Sequence, residues 1–191
     1  HIYLGDTLVA FAEQDGLVVM DYHAAHERVN YERFLNSADM PAYALLFPAH
    51  VALPRADITV LMSHIELLSE CGIDIEDFGE GSIVLRSIPE PLREADFSGL
   101  LSDIAASLRM QGDEPLADGL PELIDRKKRY LAAQLACHAS IRGAGESPDG
   151  QHLAALRTAL AKTNEPHRCP HGRPTMLRFS LDVLKKMFKK S

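Results

Sequence analysis

Three cysteines among 191 residues, at positions 71, 137 and 169, are too few and too scattered for a disulfide framework, and no leader-like segment opens the chain. The expected compartment is the reducing cytoplasm. No apolar run approaches the roughly 18 to 20 residues that a membrane span requires, so no membrane association is expected. Cations are in deficit: 20 Lys and Arg stand against 27 Asp and Glu, a net charge of −7. That balance excludes broad, nonspecific affinity for nucleic acid, because neutralising phosphates depends on Lys and Arg. Any contact with DNA must be local or come from another domain. Internal repeats and low-complexity tracts are missing too. The chain begins at His1 on strand-like sequence without an initiator methionine, which reads as a fragment of a longer protein.

What is present is a globular composition. An apolar fraction of 46% is enough for a proper core in one large domain or two small ones. Two apolar runs, Leu8 to Ala12 and Leu17 to Met20, flank Gln14-Asp15-Gly16 and predict a hairpin. From Ala24 to about Leu35, Val29, Tyr31, Phe34 and Leu35 recur at nearly helical spacing. The second strand therefore delivers Asp21 and His23 to the start of a helix. Pro41, Pro48 and Pro54 then read as a punctuated connection.

Ala56 to Cys71 predicts one amphipathic helix with Ile58, Leu61, Ile65 and Leu68 inward and Gly72 as its C-cap. A second hairpin follows in IDIEDFGEGSIVLRSIP, then a helix over Phe97 to Arg109 and a Gly/Pro/Asp-rich break over Gly112 to Pro121. A long helix is expected from Pro121 towards His138, and another, opened by Ser147-Pro148, ending near Thr163. The chain closes on a strand, Thr175 to Ser180, and a helix capped by Ser180. In that helix Leu181, Leu184 and Phe188 are expected inward, and Lys185, Lys186, Lys189 and Lys190 gather at its end.

Two stretches carry candidate chemistry. In DYHAAHERVNYE, His23 and Glu27 are four residues apart on one helical face, whereas Glu32 lies roughly 140° around from Glu27. An imidazole and a carboxylate at this spacing suit a divalent metal, and equally a plain i,i+4 hydrogen bond. In RCPHGRP, Cys169 and His171 sit inside a proline-bounded loop whose stiffness lowers the cost of ordering two zinc-type ligands. The same pattern suits a buried structural cysteine beside a turn histidine. Gly172 lets the backbone turn, and Arg173 is a candidate for pairing with phosphate or carboxylate. Cys137-His138, in an alanine-rich helix, reads as packing before it reads as ligand.

Taken together and in this order, the motifs resemble the C-terminal domain family of the DNA mismatch-repair protein MutL in its endonuclease-bearing form. The family signature Asp-Gln-His-Ala, two residues, Glu, four residues, Glu is matched by Asp21-Tyr22-His23-Ala24, Glu27 and Glu32. Its Ala/Ser-Cys-Lys/Arg is matched by Ala136-Cys137-His138, its Cys-Pro-His-Gly-Arg-Pro without change by Cys169 to Pro174, and its closing Phe-x-Arg by Phe188-Lys189-Lys190. Tyr22, His138 and Lys190 depart from the pattern. So does Tyr43 to Pro48, where the family's clamp-docking stretch keeps apolar anchors and loses its glutamine.

The resemblance implies a two-lobed α+β fold. A homodimerising subdomain would be built from residues 1–47 and 122–191, with residues 48–121 inserted as an external regulatory subdomain. It implies metal-dependent nicking of DNA, with Asp21, His23, Glu27, Glu32 and Arg173 in the catalytic set and Asp21, His23, Glu27, Cys137, Cys169 and His171 around metal. Zn2+ would be structural or regulatory and Mn2+ catalytic. The implied partners are a second copy, DNA and, weakly through Leu45, Leu46, Phe47 and Pro48, a sliding clamp. The alternative is a dimerisation module that keeps a structural zinc and cuts nothing.

Overall fold

The computed structural model describes residues 1–36, 41–110, 120–140 and 149–189. The expected α+β class holds: seven strands in two antiparallel sheets and seven α-helices occur among the described residues. By packing, the chain divides into two compact units, His1–Asn30 with Ser140–Ser191, and Tyr31–Ala139.

The first unit is built on the predicted hairpin. Strands β1 (Ile2–Gly5), β2 (Leu8–Glu13), β3 (Gly16–Asp21) and β7 (Met176–Ser180) form one sheet in that order. Helix α1 (Tyr22–Leu35) follows β3 at once, and α6 (Gly150–Leu160) starts at Asp149, whose side chain accepts from the Gln151 amide. One sheet face packs Val9, Met20 and Met176 against Ala25, Leu153 and Leu160. Arg157 on α6 stacks 4.6 Å above the Phe11 ring and pairs with Glu13 at 2.7 Å, fastening helix to strand.

Gly16 shows why this sheet needs its glycine. It opens β3 at φ 150°, and a Cβ there would lie 2.1 Å from the Phe179 carbonyl oxygen of β7. Backbone cannot yield as a flexible side chain does. Gly16→Ala is expected to cost about 2 to 3 kcal/mol in urea unfolding, from overpacking and a disfavoured φ together.

The second unit holds the sheet β4 (Ala42–Ala52), β6 (Ser82–Pro89), β5 (Asp74–Gly79), in that order, with helices α2 (Arg55–Ser63), α3 (Ile65–Glu70), α4 (Phe97–Met110) and α5 (Leu120–Ala139). Leu100, Leu101, Ile104, Ala105 and Leu108 repeat at helical spacing on α4 and are all buried. They pack with Leu61, Ile75, Leu85 and Leu135 in one apolar cluster. Each such fully buried aliphatic side chain contributes about 1.5 to 3 kcal/mol. This unit is wider than the composition breaks at Pro48 and Pro121 suggest, because Phe34, Leu131, Leu135 and Ala136 belong to the same core.

Three local expectations are corrected. The proline-marked connection is strand β4: it lies at a sheet edge, and Pro48 falls in the irregularity between Ala44 and Ala49, where no ladder donor is needed. The single helix over 56–71 is two, broken at His64, whose Nδ1 lies 2.9 Å from the Val60 carbonyl oxygen and whose amide donates to Leu61. Ile65 is consequently 36% exposed rather than inward. Gly72 does end α3, at φ 80°, with its amide donating to Ser69 and that of Ile73 to Leu68, a Schellman pair.

The last helix, α7 (Leu181–Met187), is capped by the Ser180 hydroxyl as expected, yet Leu181 and Phe188 are exposed. Ser147-Pro148 and most of the break over 112–121 lie outside the described residues. Among the described residues no helix is long and apolar enough to cross a membrane.

Candidate metal centre

Helix α1 begins where β3 ends, and Asp21 makes the junction. Its amide donates to the Thr175 carbonyl at 3.0 Å and its Oδ1 accepts from the Ala24 amide at 3.1 Å, an N-cap that fixes the first turn. One turn on, His23 Nε2 lies 3.1 Å from Glu27 Oε1. Glu27 is fully buried, which is rare for a carboxylate unless it is paired.

The second half of the site is a tight turn. The Cys169 amide donates to the Arg173 carbonyl at 2.8 Å and the Gly172 amide to the Cys169 carbonyl at 2.9 Å, with Gly172 at φ 83°. Residues 168 and 174 bridge its mouth. Arg28, next to Glu27 on α1, donates through Nε to the Arg168 carbonyl at 2.5 Å and through Nη2 to Glu165 at 3.3 Å. Thr175 Oγ1 donates to the Pro166 carbonyl at 2.5 Å. The turn is therefore tied to the helix and the strand that carry the first half.

Donor atoms of Glu27, Cys169 and His171 consequently lie within 4.8 Å of one another. His171 Nδ1 is 3.5 Å from Glu27 Oε2, and Arg173 Nη2 reaches both carboxylate oxygens, at 3.1 and 2.9 Å. Cys169 is buried to 1% exposure. A thiol, a carboxylate and an imidazole gathered in this way fit zinc by ligand type, and the carboxylate also suits a harder divalent ion.

Burial pushes the Glu27 carboxyl up, but the hydrogen bond and charge of His23, with the charges of Arg173 and His171, outweigh it and hold the group at about 2 against an ordinary 4.5. Below pH 4.5 the unfolded chain takes up this proton before the folded one does. The associated stability is therefore complete above about pH 4.5 and lost as pH falls towards 2, on the order of 3 kcal/mol in all. Acid unfolding followed by circular dichroism in chelator should show this slope, and Glu27→Gln should flatten it.

The remaining predicted residues fall elsewhere. Glu32 is half-buried in the part of α1 that belongs to the second unit, on a different helical face from Glu27. Cys137 is half-buried on α5 in that unit, and its ligation rests on the resemblance alone. His138 beside it meets Asp103 of α4 at 2.9 Å, a contact within the second unit. Tyr22 is buried in the first core with its hydroxyl donating to the Asp6 carbonyl at 3.1 Å. Leu46 and Phe47 are 85% and 82% exposed on the edge strand, with Leu45 half-buried and Pro48 exposed.

Arg28 and Thr175 were not legible as site residues. No spacing marks them, since their partners at 165–168 approach only through the fold.

Fold and site define a class: an α+β chain whose first unit gathers a buried carboxylate, a buried thiol and an exposed imidazole of types that bind metal. Residues 2–146 match the family model described as the MutL C terminal dimerisation domain. The chain belongs to that family. It is 39% identical over 185 residues to a DNA mismatch repair protein MutL of Thermodesulfovibrio yellowstonii, covering 97% of this chain and 32% of that protein. It is 37% identical over 191 residues to that of Sinorhizobium fredii, covering 98% and 30%. The chain thus spans about a third of the length of these relatives.

Proposed function

We propose that the chain is the homodimerising, DNA-nicking part of a mismatch-repair protein, a metal-dependent phosphodiesterase. The observation that carries the reading is the fully buried Glu27 gathered with Cys169 and His171 within 4.8 Å, with His23 at 3.1 Å. Dimer contacts alone require no such cluster.

His23, Glu27, Cys169 and His171 would hold zinc, and the carboxylates Asp21 and Glu27 a harder ion such as manganese. Such ions, when bound, acidify water and neutralise charge on a phosphodiester. The chain's own residues do the rest. Asp21 accepts the proton of the attacking water, and Arg173 grips the phosphate with a planar fork. Arg28 and Thr175 hold the turn against α1 and β7, so the ligands are ordered before anything binds.

The dimer reading has its own support. Ile2, Ala10, Val19 and Leu177 form one row across all four strands of the first sheet, on the face opposite Val9 and Met20. On that face Ile2, Leu8 and Leu177 are exposed. A second copy laid on this apolar face is the occupant we assign. The exposed Leu46 and Phe47 are offered as weak anchors for a sliding clamp, with residues 48–121 as a regulatory insertion.

One observation favours the non-catalytic alternative: Asp21 Oδ1 is engaged in capping α1. A supercoiled-plasmid assay with manganese separates the two readings. Asp21→Asn preserves the cap acceptor and is expected to lower nicking at least about a hundredfold while zinc content and melting temperature stay near wild type. If wild-type chain leaves the plasmid intact under every metal, the structural-zinc module is the correct description.

A further inference from the structure

We propose, resting on the metal reading above, that Arg173 is a placeholder cation: its guanidinium holds the same Glu27 carboxylate that the ion takes, and ion binding releases it towards DNA phosphate. The two groups compete for the same atoms. Nη2 of Arg173 contacts both oxygens of Glu27, at 3.1 and 2.9 Å. Glu27 is one of the three donor residues that lie within 4.8 Å of one another, so the guanidinium sits on a ligand of the ion.

A carboxylate with no exposed surface must have a countercharge, and the guanidinium supplies it. A divalent ion on the same carboxylate would set like charges side by side, so one cation must leave. The partners differ in freedom: Glu27 is 0% exposed, whereas the Arg173 side chain is 53% exposed. The root of Arg173 is anchored, since its carbonyl accepts from the Cys169 amide, but its long stem leaves the tip movable. The group that yields is therefore the arginine, and it yields outward, already cationic and already at the mouth of the site.

Two consequences follow. The carboxylate stays paired before the ion arrives, which protects the unit from an orphaned buried charge. The phosphate grip becomes available only when an ion is in place, so ion and phosphodiester favour each other's binding, as linkage requires.

Zinc affinity measured by chelator competition tests this on the whole 191-residue chain. Arg173→Gln removes the competing charge and should bind zinc at least about tenfold more tightly, with a lower melting temperature in chelator and a nearly wild-type one in zinc. Equal or weaker zinc binding by that variant, while Cys169→Ser still lowers affinity, overturns the placeholder and leaves the metal reading standing. Zinc binding unaffected by Cys169→Ser overturns both. Should Arg173→Gln not fold, the wild-type chain decides by nitrogen-15 NMR, with the Arg173 Nε signal assigned through its loss in Arg173→Lys. Zinc should shift that signal and speed its exchange with water at least about tenfold, and an unmoved signal overturns the inference.

Discussion

Glu27→Gln is expected to lower zinc affinity by at least about a hundredfold and plasmid nicking by about a thousandfold, with the fold retained. Glutamine keeps the shape and one acceptor oxygen for Arg173 but carries no charge. The contacts to His23, His171 and Arg173, between 2.9 and 3.5 Å, all converge on this one carboxylate. Even partners that merely orient ligands cost 10 to 100-fold when removed, and a direct ligand costs more. The fold survives because Arg173 can turn to water from a half-exposed position. Zinc content after dialysis, a manganese-dependent nicking assay and a thermal melt check the three parts separately. A variant that kept full zinc content would place the ion elsewhere.

The second large effect is on assembly. Leu177→Asp should weaken the dimer about a thousandfold, read by sedimentation equilibrium, because a carboxylate would be buried unpaired at a cost of several kcal/mol and each 1.4 kcal/mol is tenfold. Leu177 is 52% exposed at the end of the Ile2, Ala10, Val19, Leu177 row. The side chain leaves the Val9 and Met20 core untouched, so monomers should remain folded. An unchanged association constant would move the dimer surface off this sheet face. The exposed apolar residues of α7, Leu181, Val183 and Met187, and its C-cap Phe188, would then be the next to change.

Sequence reading succeeded where structure is local. The Gln14-Asp15-Gly16 turn and its flanking apolar runs are β2 and β3, paired residue for residue from Leu8 and Asp21 to Glu13 and Gly16. The helix expected over Phe97 to Arg109 is α4, and its buried residues repeat every three to four positions. The reading failed where a local signal is overridden by neighbours. Pro48 forbids a central strand and permits an edge one, and which of the two β4 is depends on β6 alone. Leu181 and Phe188 fit an amphipathic helix, yet nothing in their spacing says whether the apolar side meets the same chain.

The candidate site divides in the same way. By itself the sequence determined each half: His23 and Glu27 one helical turn apart, Cys169 and His171 in a stiff turn that Gly172 lets close. Those spacings are set by backbone geometry over a few residues. Only the tertiary structure decided that the halves meet, that Glu27 is buried without exposed surface, and that Arg173 is its counterion. Those facts depend on β7 pairing with β3 and on Arg28 holding the Arg168 carbonyl across 140 positions of sequence. Contacts at that separation leave no periodicity in the chain, because they are fixed by which surfaces pack and not by what lies next along the backbone.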